Sequence, residues 1–230
     1  MLSEVEKGLD WGIENLTSET DGYFLIKDYL NTEIEYKLGA QATAILAFSK
    51  YIEQTGDEQY VPILNRLIET VSAKFLTNEH RTIHVLNAQL ETKEKFRIIY
   101  YDGEILFSLL RAYEILGNKE VFAICQGLMD QFVANDYQKY HDHWLSYATN
   151  EMLKHSQTEE YYRFGIKNAL DNIDFIDKRD TAYPTMLELL VAASKMMRKL
   201  EFSTWRKTIF AEETDFYKVK ERINTVMKKG

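Results

Sequence analysis

The feature that most constrains this chain is an internal repeat of helical hairpins, each about forty residues long. The first copy begins at Lys37 and reads KLGAQATAILAFSKYIEQTGDEQYVPILNRLIETVSAKF, with one apolar helical face before the turn at 55–57 and another after it. Pro62 fits the first turn of the second helix, where its missing N–H is not needed. The first helices of the four predicted hairpins cover residues 37–54, 102–115, 142–155 and 184–199. Their second helices cover residues 61–71, 121–132, 161–173 and 214–227.

Hairpins of this length stack either into an open superhelical solenoid or into a closed α/α toroid with inner and outer helical rings. Inner helices of a toroid are buried on most sides, and the segments ATAILAFS and GEILFSLL are small or apolar almost all round. We therefore predict an all-α fold: an incomplete α/α toroid of four to five hairpins that forms a single domain over residues 1–230. The predicted core residues of its inner helices are Leu46, Leu109, Leu110 and Leu189.

Two segments interrupt the helical pattern, DGYFLIKDYLNTEIEY (21–36) and RTIHVLNAQLETKEKFRIIYY (81–101). Both are rich in β-branched and aromatic residues with partial alternation, which predicts short strands or extended loops. Each precedes the first helix of a hairpin, so we expect both on one rim of the toroid. Loops on one side of a rigid scaffold commonly carry binding sites, so this rim is the predicted location of the site.

Composition narrows the classes of function. The net charge of −8 disfavours nucleic acid and an anionic membrane surface as partners, since both require a basic face. No apolar run is long enough to span a bilayer, and the N-terminus lacks the pattern of a signal peptide. The single cysteine, Cys125, is typical of a core residue and excludes an internal disulfide. We expect a cytoplasmic protein, although a domain of a longer chain, with partner domains, would show the same composition.

Three runs carry a resemblance to a known superfamily: KLGAQATAILAFSKYIEQTGDEQY, YYDGEILFSLLRAYEILGN and DHWLSYATNEM resemble the six-hairpin glycosidase-like α/α toroids. The resemblance covers roughly residues 1–200 and rests on hairpin length, the turn motif and clusters of aromatic and acidic residues. That superfamily includes glycoside hydrolases, unsaturated-uronide hydrolases, polysaccharide lyases and sugar epimerases. The resemblance implies a carbohydrate ligand, and it matches no catalytic motif of a single family residue by residue.

Two aspartates keep the same register in different hairpins. Asp102 lies fifteen residues before Gly117, and Asp142 lies fifteen before Gln157 at the corresponding turn position. The N-termini of the first helices of a toroid share one rim, which would also carry Gln41 at the same offset in the first hairpin. An aspartate at a helix start is explained either as an N-cap that accepts backbone N–H groups or as one member of a functional pair.

The neighbours of these aspartates favour a functional pair. Glycosyl transfer needs one protonated and one ionised carboxyl group, and aromatic rings offer flat faces on which sugar C–H groups stack. An arginine at the same rim would hold a substrate carboxylate or phosphate, or would serve in a plain salt bridge. The predicted catalytic residues are Asp102, Asp142, Glu104 and His143. The predicted substrate-binding residues are Tyr100, Tyr101, Trp144, Gln41, Arg97 and Tyr183.

Glu188 is a charged residue within the apolar stretch TMLELLVAA, one turn beyond Pro184. It lies either at the outer edge of its helix or buried beside a partner, for which Arg97 and Arg179 are the candidates.

The sequence predicts neither a metal site nor a cofactor. His141 and His143 lie in an extended segment without a third ligand, and His80 and His84 lack the acidic residue of a zinc-protease helix. A glycine-rich phosphate loop, a nucleophile elbow and a dinucleotide fingerprint are all missing from the sequence.

Three hypotheses of function remain. The first is a carbohydrate-active toroid that hydrolyses or rearranges a glycan; as an enzyme it would be glycoside hydrolase-like. The second is a non-catalytic domain of a larger polysaccharide-biosynthesis protein that binds a glycan or a protein at the same rim. The third is a helical-repeat adaptor, which would bind along a concave helical face rather than at one rim.

Overall fold

The computed structural model describes residues 2–28, 33–93, 97–180 and 184–229. Helices account for most of these residues, which confirms the predicted all-α class. The helices are α1 (Leu2–Leu16), α2 (Leu38–Thr55), α3 (Val61–Thr70), α4 (Tyr101–Leu116), α5 (Lys119–Ala134), α6 (His143–His155), α7 (Glu159–Leu170), α8 (Ile173–Asp177), α9 (Pro184–Glu201), α10 (Arg206–Ile209) and α11 (Glu213–Met227), with a π-helix at Val71–Phe75 and a 3-10 helix at Tyr137–Tyr140. The strands are β1 (Thr17–Thr20), β2 (Tyr23–Ile26), β3 (Glu35–Lys37) and β4 (Val85–Asn87).

The chain folds into two compact units, Met1–Leu128 and Met129–Gly230. The single domain expected over residues 1–230 stays a prediction. Among the helices of the described residues, none is both long enough and apolar enough to cross a membrane.

The hairpin repeat is confirmed: α2, α4, α6 and α9 begin and end within two residues of the predicted first helices. The turns explain where the first two of them end. Gly56 and Gly117 adopt left-handed backbone with φ of 69° and 63°, and their N–H groups bond to the carbonyls of Ile52 and Tyr113. A side chain disfavours this conformation, so glycine at both positions stops the helix cleanly. In the third hairpin Ser156 is extended instead, with φ of −136°.

The two segments predicted to be extended lie together in Met1–Leu128. β1 and β2 form an antiparallel hairpin around the turn at Asp21 and Gly22, which both have positive φ. β3 pairs antiparallel with β4, with Tyr36 opposite Leu86, and β3 leads directly into α2. This pairing joins the segment before α2 to the segment before α4.

The core of Met1–Leu128 lies around α2 and α4, where Leu109 and Leu110 are fully buried as predicted. The prediction for Leu46 is wrong, since this residue is only half-buried. Ile45, Phe48 and Ile52 occupy the buried face instead, at the spacing of one helical stripe. Leu46 is next to Ile45 in sequence, so its side chain points about 100° away around the helix.

The core of Met129–Gly230 is a cluster of α6, α7 and α9 that contact one another. Leu189 is 2% exposed there, as predicted. Gly165 in α7 allows close approach: a Cβ at this position would lie 2.3 Å from the Met196 sulfur and 2.8 Å from Thr149 Cγ2. Close packing of these three helices fixes the ends that carry the site.

Candidate functional site

The N-terminal ends of α6 and α9 bring together a histidine, a glutamate, a tyrosine and a tryptophan in Met129–Gly230. His143 is the first residue of α6, and its Nε2 lies 3.7 Å from Oε2 of Glu188 in α9. Tyr147, one turn further along α6, hydrogen-bonds to the same carboxylate. His143 and Tyr147 are four residues apart and therefore share one face of the helix. The cluster thus joins an imidazole, a carboxylate and a phenol.

The protonation of this cluster follows from its burial. Burial lowers the pKa of His143 below 6.5, and the nearby Glu188 carboxylate opposes that shift only in part. Burial and the hydrogen bond to Glu188 raise the pKa of Tyr147, so its hydroxyl keeps its proton and donates. The Glu188 side chain is 38% exposed, whereas that of His143 is 8% exposed. Near neutral pH the cluster therefore presents a neutral imidazole beside a carboxylate that solvent reaches.

Aromatic rings surround the histidine. The indole of Trp144 lies with its centroid 5.3 Å from that of His143 and 5.8 Å from that of Tyr147. The rings of Trp144 and Tyr147 meet edge to face at 78°. Trp144 is half-buried. Flat aromatic faces beside polar groups are typical of small-molecule sites.

The start of α6 is held by polar contacts. Asp142 is its N-cap, and Oδ1 accepts a hydrogen bond from the Trp144 N–H at 2.9 Å. Asn168 in α7 donates through Nδ2 to the backbone oxygen of Asp142 and to Ser146 Oγ, both at 2.8 Å. The backbone oxygen of Asn168 accepts from Nδ1 of His141 at 2.9 Å. Asp142 and Asn168 are both fully buried.

Asp102 occupies a different environment in Met1–Leu128. It is the second residue of α4 and is fully buried. Its Oδ1 accepts from the Thr82 hydroxyl and lies 3.0 Å from His84 Nε2, and its Oδ2 lies 2.7 Å from Arg97 Nε. These contacts connect Thr82, His84 and Arg97 to the start of α4. The carboxylate is thus the centre of a buried polar cluster, in contrast to the cap at Asp142.

The geometry fixes the tautomer of His84. Its Nδ1 lies 2.6 Å from the backbone N–H of Ile98, which can only donate. Nδ1 must therefore accept, and the proton of the neutral ring sits on Nε2, from which it is donated towards Asp102. His84 thereby connects the chain at Ile98 to α4.

A second group of polar and aromatic residues lies where α2 and α4 begin. A Cβ at Gly39 would lie 2.3 Å from the ring of Tyr101 and 2.9 Å from Oε2 of Glu104, so the two helix ends are in close contact. Burial raises the pKa of Glu104 and that of Tyr101. The side chain of Lys37, at the end of β3, forms an ion pair with Asp28, and this hydrogen bond raises the pKa of Lys37.

Comparison with known proteins identifies the fold. No protein-family model matches the sequence, and no curated protein matches it. Among solved structures the chain is similar to a D-mannose isomerase, with 12% identity and a TM-score of 0.67 over 95% of this chain and 68% of that one. A sugar epimerase from a ruminal bacterium gives 13% identity and a TM-score of 0.64 over 99% of this chain and 69% of that one.

A GH76 alpha-mannanase from Bacteroides thetaiotaomicron is 14% identical, with a TM-score of 0.60 over 90% of this chain and 63% of that one. These structures share one architecture. The chain has the six-hairpin glycosidase-like fold. The α/α toroid class predicted from the hairpin repeat is therefore confirmed.

The described members of the predicted site belong to both units of the chain. His143 and Trp144 are in the cluster with Glu188, and Asp142 caps the same helix. Asp102, Glu104, Tyr100, Tyr101, Gln41 and Arg97 lie in Met1–Leu128, and Tyr183 lies outside the described residues. The pairing of the Asp102 and Asp142 carboxylates stays a prediction.

Two of the predicted binding residues have specific partners in Met1–Leu128. The Gln41 amide is fully buried and exchanges two hydrogen bonds of 2.9 Å with the backbone of Ile26, so it attaches β2 to α2. Arg97 pairs with Asp102. Tyr100 is 43% exposed at the start of α4. Sugar binding by these three residues stays a prediction.

Tyr147 and Asn168 were not predicted from the sequence, and the partners of Glu188 were left open. Tyr147 had a usable signal, because its spacing of four from His143 places both on one helical face. The described partners of Glu188 are His143 and Tyr147. Among the described residues, no group of three His, Cys, Asp or Glu side chains is arranged to hold a metal ion.

Proposed function

We propose that this protein binds a carbohydrate at the N-terminal end of α6 and rearranges it by proton transfer, with His143 as the base. The observation that carries the proposal is the neutral, buried imidazole of His143 at 3.7 Å from the Glu188 carboxylate. A general base works best when its pKa lies near the working pH and it is not already protonated. The fold supports the choice of ligand, since similar structures are named as a mannose isomerase and a sugar epimerase.

The chemistry proposed for the cluster is removal of a proton from the carbon next to the carbonyl group of an open-chain sugar. His143 Nε2 takes the proton, and the imidazolium so formed is stabilised by the Glu188 carboxylate. The Tyr147 hydroxyl donates to the Glu188 carboxylate and orients it. The imidazolium then delivers the same proton, or one exchanged with water, to the former carbonyl carbon. The hydroxyl proton on the neighbouring carbon passes to the former carbonyl oxygen, so that an aldose becomes a ketose. No oxidant or reductant is required, because one C–H and one O–H bond are broken and one of each is formed.

Glycoside hydrolysis is the alternative, and it needs two carboxyl groups at one site. In Met129–Gly230 Asp142 is fully buried and its Oδ1 is engaged as a helix cap, which leaves Glu188 as the accessible carboxylate of the described cluster. A histidine with one accessible carboxylate suits proton transfer better than glycosyl transfer. Trp144 is assigned to stacking against the sugar ring.

The test is incubation with reducing sugars and oligosaccharides in heavy water, followed by proton NMR. We expect loss of the signal of the C2 proton of at least one reducing sugar. His143→Gln should slow this exchange by about 10²–10⁴-fold, the usual contribution of a general base. His155→Gln, the same change at the other end of α6, should leave the rate unchanged.

Other outcomes would replace this proposal. New reducing ends without exchange at C2 would indicate hydrolysis, and with it the paired carboxylates. Saturable sugar binding with neither reaction would indicate a non-catalytic carbohydrate-binding domain.

A further inference from the structure

The side chain of Asn168 contacts one short segment, the start of α6. It lies in α7, is fully buried, and donates both Nδ2 hydrogens into the start of α6: one to the backbone oxygen of Asp142 and one to the hydroxyl of Ser146. That backbone oxygen also accepts the first helical hydrogen bond of α6, from the N–H of Ser146 at 3.3 Å. The side chain therefore fixes the first turn of α6 from outside.

The chemistry of these contacts requires an amide at this position. The oxygen of Asp142 can only accept, and two donors from one side chain reach two acceptors at 2.8 Å. A carboxylate in place of the Asn168 amide would set oxygen against oxygen in a buried site. An alanine would leave the carbonyl of Asp142 and the hydroxyl of Ser146 without these donors.

His141 adds a third connection to α7. Its Nδ1 donates to the backbone oxygen of Asn168, and its backbone has a φ of 51°, which few residues other than glycine adopt. Left-handed backbone at a non-glycine residue persists when its surroundings hold it there. Through His141, Asp142 and Ser146, α7 therefore holds the residues on both sides of His143.

We propose that Asn168 is a positioning residue that holds the first turn of α6 so that the His143 ring stays buried against Glu188. Asn168 itself does not touch the ring of His143; it acts through the backbone of Asp142 and through Ser146. The proposal rests on the proposed function in taking His143 as the acting group. Among the described residues, the charged and titratable groups recorded near that ring include Asp142 at its own helix end, Tyr147 one turn along α6, and Glu188 on α9.

The experiment compares Asn168→Ala with a matched control, Asn150→Ala. Asn150 is also a buried asparagine and lies further along α6. Its Nδ2 donates to the carbonyl of Ser146 in α6 and to that of Ala192 in α9. Each variant thus loses two hydrogen bonds from a buried amide. The pKa of His143 is read from its ring resonances by NMR, and kcat and KM are read from the C2 exchange.

In Asn168→Ala we expect the pKa of His143 to rise towards its ordinary value of 6.5, because water reaches the loosened helix end. We expect kcat to fall on the order of 10²-fold with little change in KM, as for a displaced catalytic group. Asn150→Ala should lose comparable stability and keep both the pKa and kcat. Equal pKa and kcat values in the two variants would overturn the proposal.

A gentler variant covers the case in which Asn168→Ala does not fold. His141→Asn removes one contact and retains a residue that tolerates left-handed backbone. The pKa of His143 should move in the same direction by a smaller amount, and an unmoved pKa would overturn the proposal. The two hypotheses fail separately. A shifted pKa without any sugar exchange in the parent protein rejects the function and supports the positioning. Exchange that depends on His143 but not on Asn168 supports the proposed function and rejects the positioning role of Asn168.

Discussion

Replacement of Asp102 by alanine tests whether Asp102 and Asp142, which share a register in the repeat, have different structural roles. Asp102 is fully buried and contacts Thr82, His84 and Arg97, whose side chain is 19% exposed. Removing one partner of a buried ion pair costs about 3–5 kcal/mol of unfolding free energy, because the other groups stay buried. Asp142 is also fully buried, but its described side-chain hydrogen bond is a helix cap, worth about 0.5–2 kcal/mol.

The assay is equilibrium unfolding in urea of Asp102→Ala and Asp142→Ala. We expect both variants to keep the slope of the transition, while the midpoint of Asp102→Ala falls further than that of Asp142→Ala. Asp142→Asn should be close to the parent, since it keeps a capping oxygen. Asp102→Asn should still lose stability, because a neutral amide no longer balances the guanidinium of Arg97. If Asp102→Ala costs no more than Asp142→Ala, the buried cluster does not stabilise the fold and the reasoning is refuted.

Three further measurements follow from packing and protonation. Gly165→Ala should destabilise the fold by about 1–3 kcal/mol, because the added methyl group overpacks the core. A Cβ at Gly12 in α1 would meet nothing within 4 Å, so Gly12→Ala should be neutral or stabilising by about 0.5–1 kcal/mol. Equal urea midpoints for the two variants would contradict this. Leu109→Ala should cost about 2–5 kcal/mol and Leu46→Ala clearly less, and the reverse order in thermal melting would contradict the assigned faces. The neutral form of His143 is the proposed base and its pKa is lowered, so kcat for exchange should rise with pH, with its midpoint below pH 6.5, and then level off. A rate that falls as the pH rises through this range would exclude His143 as the base.

The hairpins were predictable from the sequence because two local signals agree. Apolar residues recur at helical spacing, and Gly56 and Gly117 stand where left-handed backbone ends a helix. The buried face of α2 was not predictable in the same way. A helix that is small or apolar almost all round carries little directional signal, so Ile45 and Leu46 could not be told apart until packing against α4 was known.

The candidate site was predictable only where its residues are close in sequence. His143 and Trp144 followed from their position at a helix start, and Tyr147 is one turn away. Asn168 gives no local signal, because its partners Asp142 and Ser146 are 26 and 22 residues distant. Asp102 and Asp142 show that an equivalent position in the repeat does not by itself establish an equivalent role. The same position in the repeat gives a cap in one hairpin and the centre of a buried polar cluster in another, and neighbouring segments decide which.

The measurement that tests the central claim most directly is a sugar titration followed on the ring resonances of His143 and the indole resonance of Trp144. If carbohydrate binds at the start of α6, both sets of signals should shift together and saturate at one apparent affinity, and His143→Gln should weaken or abolish turnover of the same sugar. The indole of Trp11, which is 57% exposed in α1, should not move and serves as the internal control. Sugar binding that shifts other resonances while those of His143 and Trp144 stay fixed would place the site elsewhere and contradict the proposed function.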